Sequence, residues 1–335
     1  MISAVCFDDV LLTPQMSSIK SRAEINIGSN LDDNIRLNIP IISSPMDTIS
    51  TSPMAAAMDS LGGVAIIHRY NSIEVQCQHV ECLPDDAFVG AAIGVSGDYL
   101  DRATALYDAG ARILCVDIAH GHHVLMKEAL YELRQIFNDN IHIMAGNVAT
   151  LKGFNDLVDW GANSVRVGIG GGSICSTRIQ TGHGIPTLQS ILDCSISDRD
   201  ATIIADGGIK TSGDIVKALA AGADFVMLGS MLAGTDESPG EIVVVGGESR
   251  KVYRGMASKD AQISWRGHTA SIEGISSTVP YRGSVKDRID EICIGIRSGL
   301  SYTGARNISE LQAKSQFISQ SSAGTTEGLT HINFQ

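Results

Sequence analysis

Residues 202–230 read TIIADGGIKTSGDIVKALAAGADFVMLGS, and they contain the repeating logic of the whole chain. Thr202–Ala205 is a run of strand length, apolar after its first residue. Asp206-Gly207-Gly208 is a turn, and Ser212–Ala220 is long enough for a crossover helix. Gly222-Ala223 then ends the helical stretch, Gly accepting the left-handed backbone of a helix C-cap. Phe225–Leu228 opens a second strand, and Gly229-Ser230 follows it. Strands covered on both faces are apolar almost throughout rather than alternating, so strand, helix, Gly-Ala, strand reads as the βα unit of a parallel sheet.

The same unit recurs along the chain. Gly110-Ala111 and Gly161-Ala162 stand where Gly222-Ala223 does. Further strand-length runs lie at Ile39–Ser43, Val64–Ile67, Phe88–Ile93, Ile113–Asp117, Ile141–Ala145 and Ser164–Val167, with room for helices such as Tyr99–Asp108, His123–Phe137 and Leu151–Trp160. Eight strands favour a closed (β/α)₈ barrel over an open sheet, and 335 residues suit one such domain. Beyond the eighth strand the pattern changes. Glu241–Tyr253 reads as a hairpin turned at Gly246-Gly247. Lys259–Arg282 is polar with few apolar anchors and reads as a flap. Asp287–Ser298 reads as helical, and the Ser/Thr/Gly-rich tail from Ser319 to Gln335 reads as mobile unless a neighbouring subunit orders it.

Composition narrows the function. The net charge is −12 and there is no Lys/Arg cluster, which argues against a nucleic-acid polymer as partner, because phosphate neutralisation supplies most of that affinity. A small anion remains possible, held by backbone N–H groups. Seven irregularly spaced cysteines argue against a disulfide framework or a zinc knuckle. The N-terminal Met1–Asp9 is short and acidic for a signal peptide, and no apolar run approaches a membrane span. These features lead to the expectation of a cytoplasmic protein.

The unusual residues fall at the C-terminal ends of the strands, where barrel enzymes keep their chemistry. Ser44-Pro45-Met46-Asp47 follows the first strand, His68-Arg69 the second, Asp117 to Gly121 the fourth and Gly146-Asn147 the fifth. Gly168 to Cys175 follows the sixth, Asp206-Gly207-Gly208 the seventh and Gly229-Ser230 the eighth. Glycines after strands seven and eight are placed for a phosphate. Cys175 ends a loop with four glycines, and Thr177 lies two residues on, which suits an exposed nucleophile. Cys115 and Cys293, by contrast, read as structural. The His120-Gly121-His122-His123 spacing can reach zinc, but no further ligand follows at the right distance. We therefore read His120 and Asp117 as lining a ligand pocket and His122 and His123 as starting a helix.

At Gly172-Ser173-Ile174-Cys175-Ser176-Thr177-Arg178 the chain resembles the IMP dehydrogenase/GMP reductase family, over almost its whole length. Phe7-Asp8-Asp9-Val10-Leu11-Leu12, Ser44 to Thr48, Asp206 to Ile209, Met231 to Gly234 and Tyr253 to Met256 carry the rest of the resemblance. It implies a homotetrameric barrel acting on a purine mononucleotide (GMP or IMP), with a covalent thioimidate between Cys175 and purine C2. Thr177 and Glu273 match its other catalytic positions. Ser44, Met46, Ser173, Asp206, Gly208, Gly229, Ser230, Tyr253, Gly255 and Met256 match the nucleotide site. Asp117, Ala119, Gly121, Asn147 and Arg178 match the face for the nicotinamide cofactor, taken as NADPH. The Gly loop resembles one that holds a monovalent cation such as K⁺ on backbone carbonyls, here those of Gly170, Gly172 and Cys175.

Within the family the reductase reading is preferred. About twenty residues separate His68 from the third strand, too few for the paired nucleotide-sensing modules that dehydrogenases usually insert there. The flap carries Trp265-Arg266-Gly267 and no Arg-Tyr pair to activate water, and Asp236 to Glu241 is reductase-like. Ser44-Pro45-Met46, and the tail Ala323-Gly324 with Glu327 and His331, resemble dehydrogenases. An IMP dehydrogenase is therefore the alternative.

Overall fold

The computed structural model describes residues 3–330. Eight parallel strands close on themselves: β1 (Ile41–Ser43), β2 (Val64–Ile67), β3 (Val89–Ile93), β4 (Ile113–Asp117), β5 (His142–Val148), β6 (Ser164–Val167), β7 (Thr202–Asp206) and β8 (Phe225–Leu228). Closure is the pairing of β8 with β1, Val226 to Leu228 beside Ile41 to Ser43. Crossover helices follow each of the first seven strands: α1 (Ser52–Ser60), α2 (Ile73–Glu81), α3 (Tyr99–Asp108), α4 (Val124–Phe137), α5 (Leu151–Asp159), the pair α6 (Thr177–Thr181) and α7 (Thr187–Cys194), and α8 (Ser212–Ala220).

The two faces of the strands explain their unbroken hydrophobicity. Ile42, Val64, Ile66, Ala92, Ile113, Cys115, Met144, Ile204, Phe225 and Met227 fill the barrel, and Leu31, Ile35 and Leu37 from the preceding segment join the same cluster. Residues of opposite parity, such as Ile41, Ile67, Leu114 and Val165, belong to the layer shared with the helices. A barrel of this kind is a packed core and not a pore, so a ligand can bind only above it.

Strand boundaries differ from the sequence reading in small, explicable ways. β1 begins after Pro40, which has no N–H to donate to a ladder. β5 runs on to Val148 through a register shift between Gly146 and Val148. The larger differences come after β8. The hairpin forms as read, from β9 (Ile242–Val245) and β10 (Glu248–Arg254). The segment read as a flap holds more structure than expected. Ser258 Oγ accepts the Ala261 N–H and starts α9 (Lys259–Arg266), and Gly267 ends it in the left-handed region. β11 (Ser276–Pro280) then pairs with β10 to make a third strand. α10 (Val285–Thr303) is longer than read, and α11 (Ile308–Lys314) follows it.

As far as Thr330 the tail is likewise ordered within this one chain. Phe317–Ser319 pairs with Val10–Leu12, and α12 (Ser322–Glu327) docks through the Thr325 hydroxyl on the Asp8 carbonyl. Its apolar content is low, which hid it; what holds it is backbone pairing with residues three hundred positions away. His331 lies outside the described residues. Among those residues no helix is long and apolar enough to cross a membrane.

Asp224, just before β8, accepts the Ile203 N–H, and burial pushes its carboxyl up to about 6. The unfolded value is near 3.9, so between about pH 4 and 6 the folded state binds the extra proton and stability falls as pH rises. Asp224→Asn keeps an acceptor and removes the charge. Its stability, measured across that interval, should gain on the wild type as pH rises, by about 3 kcal/mol at most. Parallel curves for the two proteins would contradict this assignment.

Candidate active site

A cavity of about 330 Å³ opens at the C-terminal ends of the strands. Of the candidate catalytic, substrate, cofactor and cation residues, all but Gly121 and Arg178 line it. Gly121 is buried one layer below, donating to the Asn147 carbonyl at 2.7 Å. The exposed Arg178 guanidinium donates to the Ile169 and Ile185 carbonyls, so it clamps the Gly loop from outside. His120 also stays off the wall. Its neighbour His122 bonds Asp156 at 2.7 Å, and His123 caps α4 by accepting the Leu125 N–H. One ring nitrogen of each of these two histidines is thus engaged by the protein.

The loops after β6 and β7 are locked together by backbone. Gly168 has φ +144°, and a Cβ there would sit 2.0 Å from the Asp206 carbonyl oxygen. Only glycine permits that approach. The loop then carries Cys175 to the middle of the cavity wall, its sulfur 3.2 Å from the Thr177 hydroxyl. Glu273 reaches the same place from the flap. The Ser176 N–H donates to the Glu273 carbonyl and the Ile275 N–H to that of Ile174, so residues 273–275 run as a bridge beside the Cys loop. Thus a thiol, a hydroxyl and a carboxyl from segments about a hundred residues apart line one space, the constituents of nucleophilic catalysis with nearby proton donors.

Opposite lies a second group. Ser44 Oγ is buried without a protein partner among the described residues, close to Gly229 and the Tyr253 hydroxyl. Such an orphaned hydroxyl costs stability unless a ligand or water meets it. Arg254 donates to Asp47 at 2.9 Å and ties the β1 loop to β10, which seats Tyr253 and Met256 over the cavity. Burial pushes the Tyr253 phenol up, and burial holds His68 at about 4, so both are neutral near pH 7.

The sequence reading overlooked Arg166. It lies on β6, is 6% exposed, and donates to Asp117 Oδ1 at 2.6 Å and to Asp206 Oδ2 at 2.9 and 3.2 Å. Burial opposes its charge, but Cys115, Asp117 and Asp206 around it outweigh that, and its pKa is raised. The signal was present: Arg166 is the one charged residue of a strand buried along its whole length, and such a charge requires a carboxylate beside it. Tyr70 was missed too. It lines the cavity from β2, with Trp265 of the flap helix edge-on at 4.9 Å.

The donor set bears on two absent groups. Neutral carbonyls such as those of Gly170, Gly172 and Cys175 suit a weakly hydrated monovalent cation. The Gly172 oxygen accepts the Cys175 N–H at 3.1 Å and keeps a second lone pair. On the other side of the cavity, Asp117 with the Ile118-Ala119 wall offers a carboxylate beside an apolar surface, which suits a nicotinamide nucleoside. Asn147 is less available. Its side-chain amide already donates to the Gly168 carbonyl and to Asp206 Oδ2.

A model of the IMP dehydrogenase / GMP reductase domain matches residues 4–331. The chain belongs to this family. The IMP dehydrogenase of Cryptosporidium parvum is 37% identical, over 97% of this chain and 94% of that protein. The GMP reductase of Leishmania major is 32% identical, over 97% and 96%. Among solved structures, a cysteine-to-alanine variant of GMP reductase from Trypanosoma brucei, in complex with guanosine 5′-monophosphate, superposes with a TM-score of 0.94 at 30% identity, covering 100% of this chain and 99% of that one. The chain is therefore an oxidoreductase of purine-nucleotide metabolism built on a (β/α)₈ barrel.

Two glycines separate folding from binding. A Cβ on Gly229 would meet only side-chain atoms, Ser44 Oγ at 3.0 Å, the Tyr253 hydroxyl at 3.1 Å and Met46 Sδ at 3.2 Å. Gly229→Ala should keep a near-native melting temperature yet bind a purine mononucleotide at least about tenfold more weakly, the cost of one misfitting methyl in a close-fitting pocket. Gly168→Ala, which collides with backbone, should lower the melting temperature. Calorimetry and titration of both variants check this, and a Gly229→Ala protein with native nucleotide affinity would remove the turn after β8 from the site.

Proposed function

We propose that this protein is a GMP reductase, converting GMP with NADPH to IMP, ammonia and NADP⁺. One observation carries the reading: the flap side chain that lines the cavity is Glu273, whereas Arg266 lies over Trp265 at 4.4 Å and does not reach it. The dehydrogenase reaction must hydrolyse a Cys-linked purine, for which a flap Arg and Tyr would activate water. The reductase needs a proton donor at the departing amine. Glu273 and Thr177 are in place for the second task. The structural likeness to a GMP reductase solved with GMP supports the same reading.

In the proposed reaction the Cys175 sulfur bonds to C2 of the guanine. The C2–N bond breaks and the amine leaves as ammonia, with a proton from Glu273 or Thr177. When bound, the nicotinamide nucleotide supplies the hydride that C2 requires, and the S–C2 bond then breaks to release IMP. Asp206 holds the ribose hydroxyls, and N–H groups near Gly208, Gly229 and Ser230 take the phosphate. Asp117 and Ala119 face the nicotinamide nucleotide. The carbonyls of Gly170, Gly172 and Cys175 would hold a monovalent cation such as K⁺, which would supply a fixed positive charge beside the cysteine loop. We assign the protein to the cytoplasm, a reducing compartment that suits its seven free thiols. We take the assembly to be a homotetramer, supported by Ile242 and Val244, which leave an apolar face exposed on β9. The alternative, an IMP dehydrogenase, is favoured by the relatives that bear that name at up to 37% identity among those compared.

Turnover of GMP with NADPH beside IMP with NAD⁺ decides between them. The expected result is NADPH-dependent loss of GMP without steady formation of XMP, and the opposite pattern would transfer the protein to the other branch. Cys175→Ala should abolish turnover while GMP affinity stays within roughly tenfold, since phosphate and base contacts supply most of the binding.

Glu273→Gln removes the flap acid without changing its shape. Rapid-quench measurement should show ammonia release slowed by about 10²-fold or more, with GMP binding little affected. Equal loss of binding and rate would make Glu273 a substrate contact instead.

A further inference from the structure

Arg166 joins two carboxylates that face different ligands. Asp206 gives Oδ2 to the Arg166 Nε and Nη2 and to the Asn147 amide, and no protein donor among the described residues meets its Oδ1. Asp117 gives Oδ1 to Arg166 Nη1 and leaves Oδ2 with only the Arg69 guanidinium at 3.8 Å. Both carboxylates line the cavity, at the ends of β7 and β4. A guanidinium is a planar fork, so the orientation of one carboxylate constrains that of the other.

We propose that Arg166 is a positioning residue that couples the two halves of the site. Its fork turns the free oxygen of Asp206 toward the ribose of the purine nucleotide and that of Asp117 toward the nicotinamide nucleoside. Ordering of either carboxylate by its ligand prepares the other, so each nucleotide tightens the binding of its partner. This rests on the functional reading above. Coupling of this kind is reciprocal: the factor by which NADP⁺ tightens GMP must equal the factor by which GMP tightens NADP⁺.

Lysine is a point charge and cannot bridge both carboxylates with the same geometry. In Arg166→Lys each nucleotide alone should bind within a few-fold of wild type, while the mutual tightening, roughly tenfold in the wild type, falls to near one. A residue that only supported the fold would not lose the mutual tightening while keeping each separate affinity.

The test is titration calorimetry of GMP with and without saturating NADP⁺, and the reverse, on wild type and Arg166→Lys. Should that variant not fold, 2′-deoxy-GMP with the wild type removes part of the same link from the ligand side, and the coupling factor should fall likewise. Full coupling retained in Arg166→Lys, or with 2′-deoxy-GMP where that arm is needed, overturns this inference alone. A natively folded wild type that binds neither nucleotide overturns the functional reading and this inference with it.

Discussion

A full positive charge inside the mouth of a hydrophobic barrel must be answered by negative charge at the right distance, and the architecture of this cavity follows from that requirement. Arg166 rises from β6, a strand buried along its whole length, into the wall of the cavity. Leaving it unpaired would cost several kcal/mol. Asp117 and Asp206 answer it from β4 and β7, and Asn147 from β5 steadies the second of them. Four strand ends are thereby held in one polar network directly above the packed interior. The barrel supplies rigidity, and the ion pairs fix where its top is polar.

Around that network the loops are arranged by close backbone contact. Gly168 lies against the Asp206 carbonyl, so the loop carrying Cys175 and the loop after β7 are one unit. The flap joins the same unit through the Ser176 N–H on the Glu273 carbonyl and through the bridge between Cys175 and Gly274. The backbones that carry the Cys175 thiol and the Glu273 carboxyl are therefore placed by main-chain hydrogen bonds, while the side chains keep only light contacts, the sulfur with the Thr177 hydroxyl and the carboxylate with Ser271 Oγ.

The charge distribution is consistent with a small anionic substrate. A chain of net charge −12 would repel a polyanion, yet a single phosphate can be met by N–H groups of the β7 and β8 loops, whose dipoles do not enter the formal charge. Lys210, which also lines the cavity, is engaged with Asp8. Recognition of the anion thus falls to geometry and not to a basic patch.

The sequence by itself determined the barrel and most of the residues at the strand ends that line the cavity, because buried parallel strands leave a continuous apolar signature and because glycine runs between strand and helix mark close backbone approach. Cys175 with Thr177, Asp206 and the Gly229 turn were legible for that reason. Arg166 was legible in principle, as a charge where none could be left alone, but its two partners lie 49 and 40 residues away. Only the closed barrel brings them together. The structure alone decided that Arg178 clamps the loop from outside, that Asn147 is spent on Asp206, and that the segment Ser276–Pro280 of the flap is a strand of the hairpin sheet. It also decided that the tail returns to the N-terminal ribbon. Each of these depends on which backbone or side-chain donor is near which acceptor in space. Local periodicity carries no record of that, because it reports which face of an element is buried and not what lies against it.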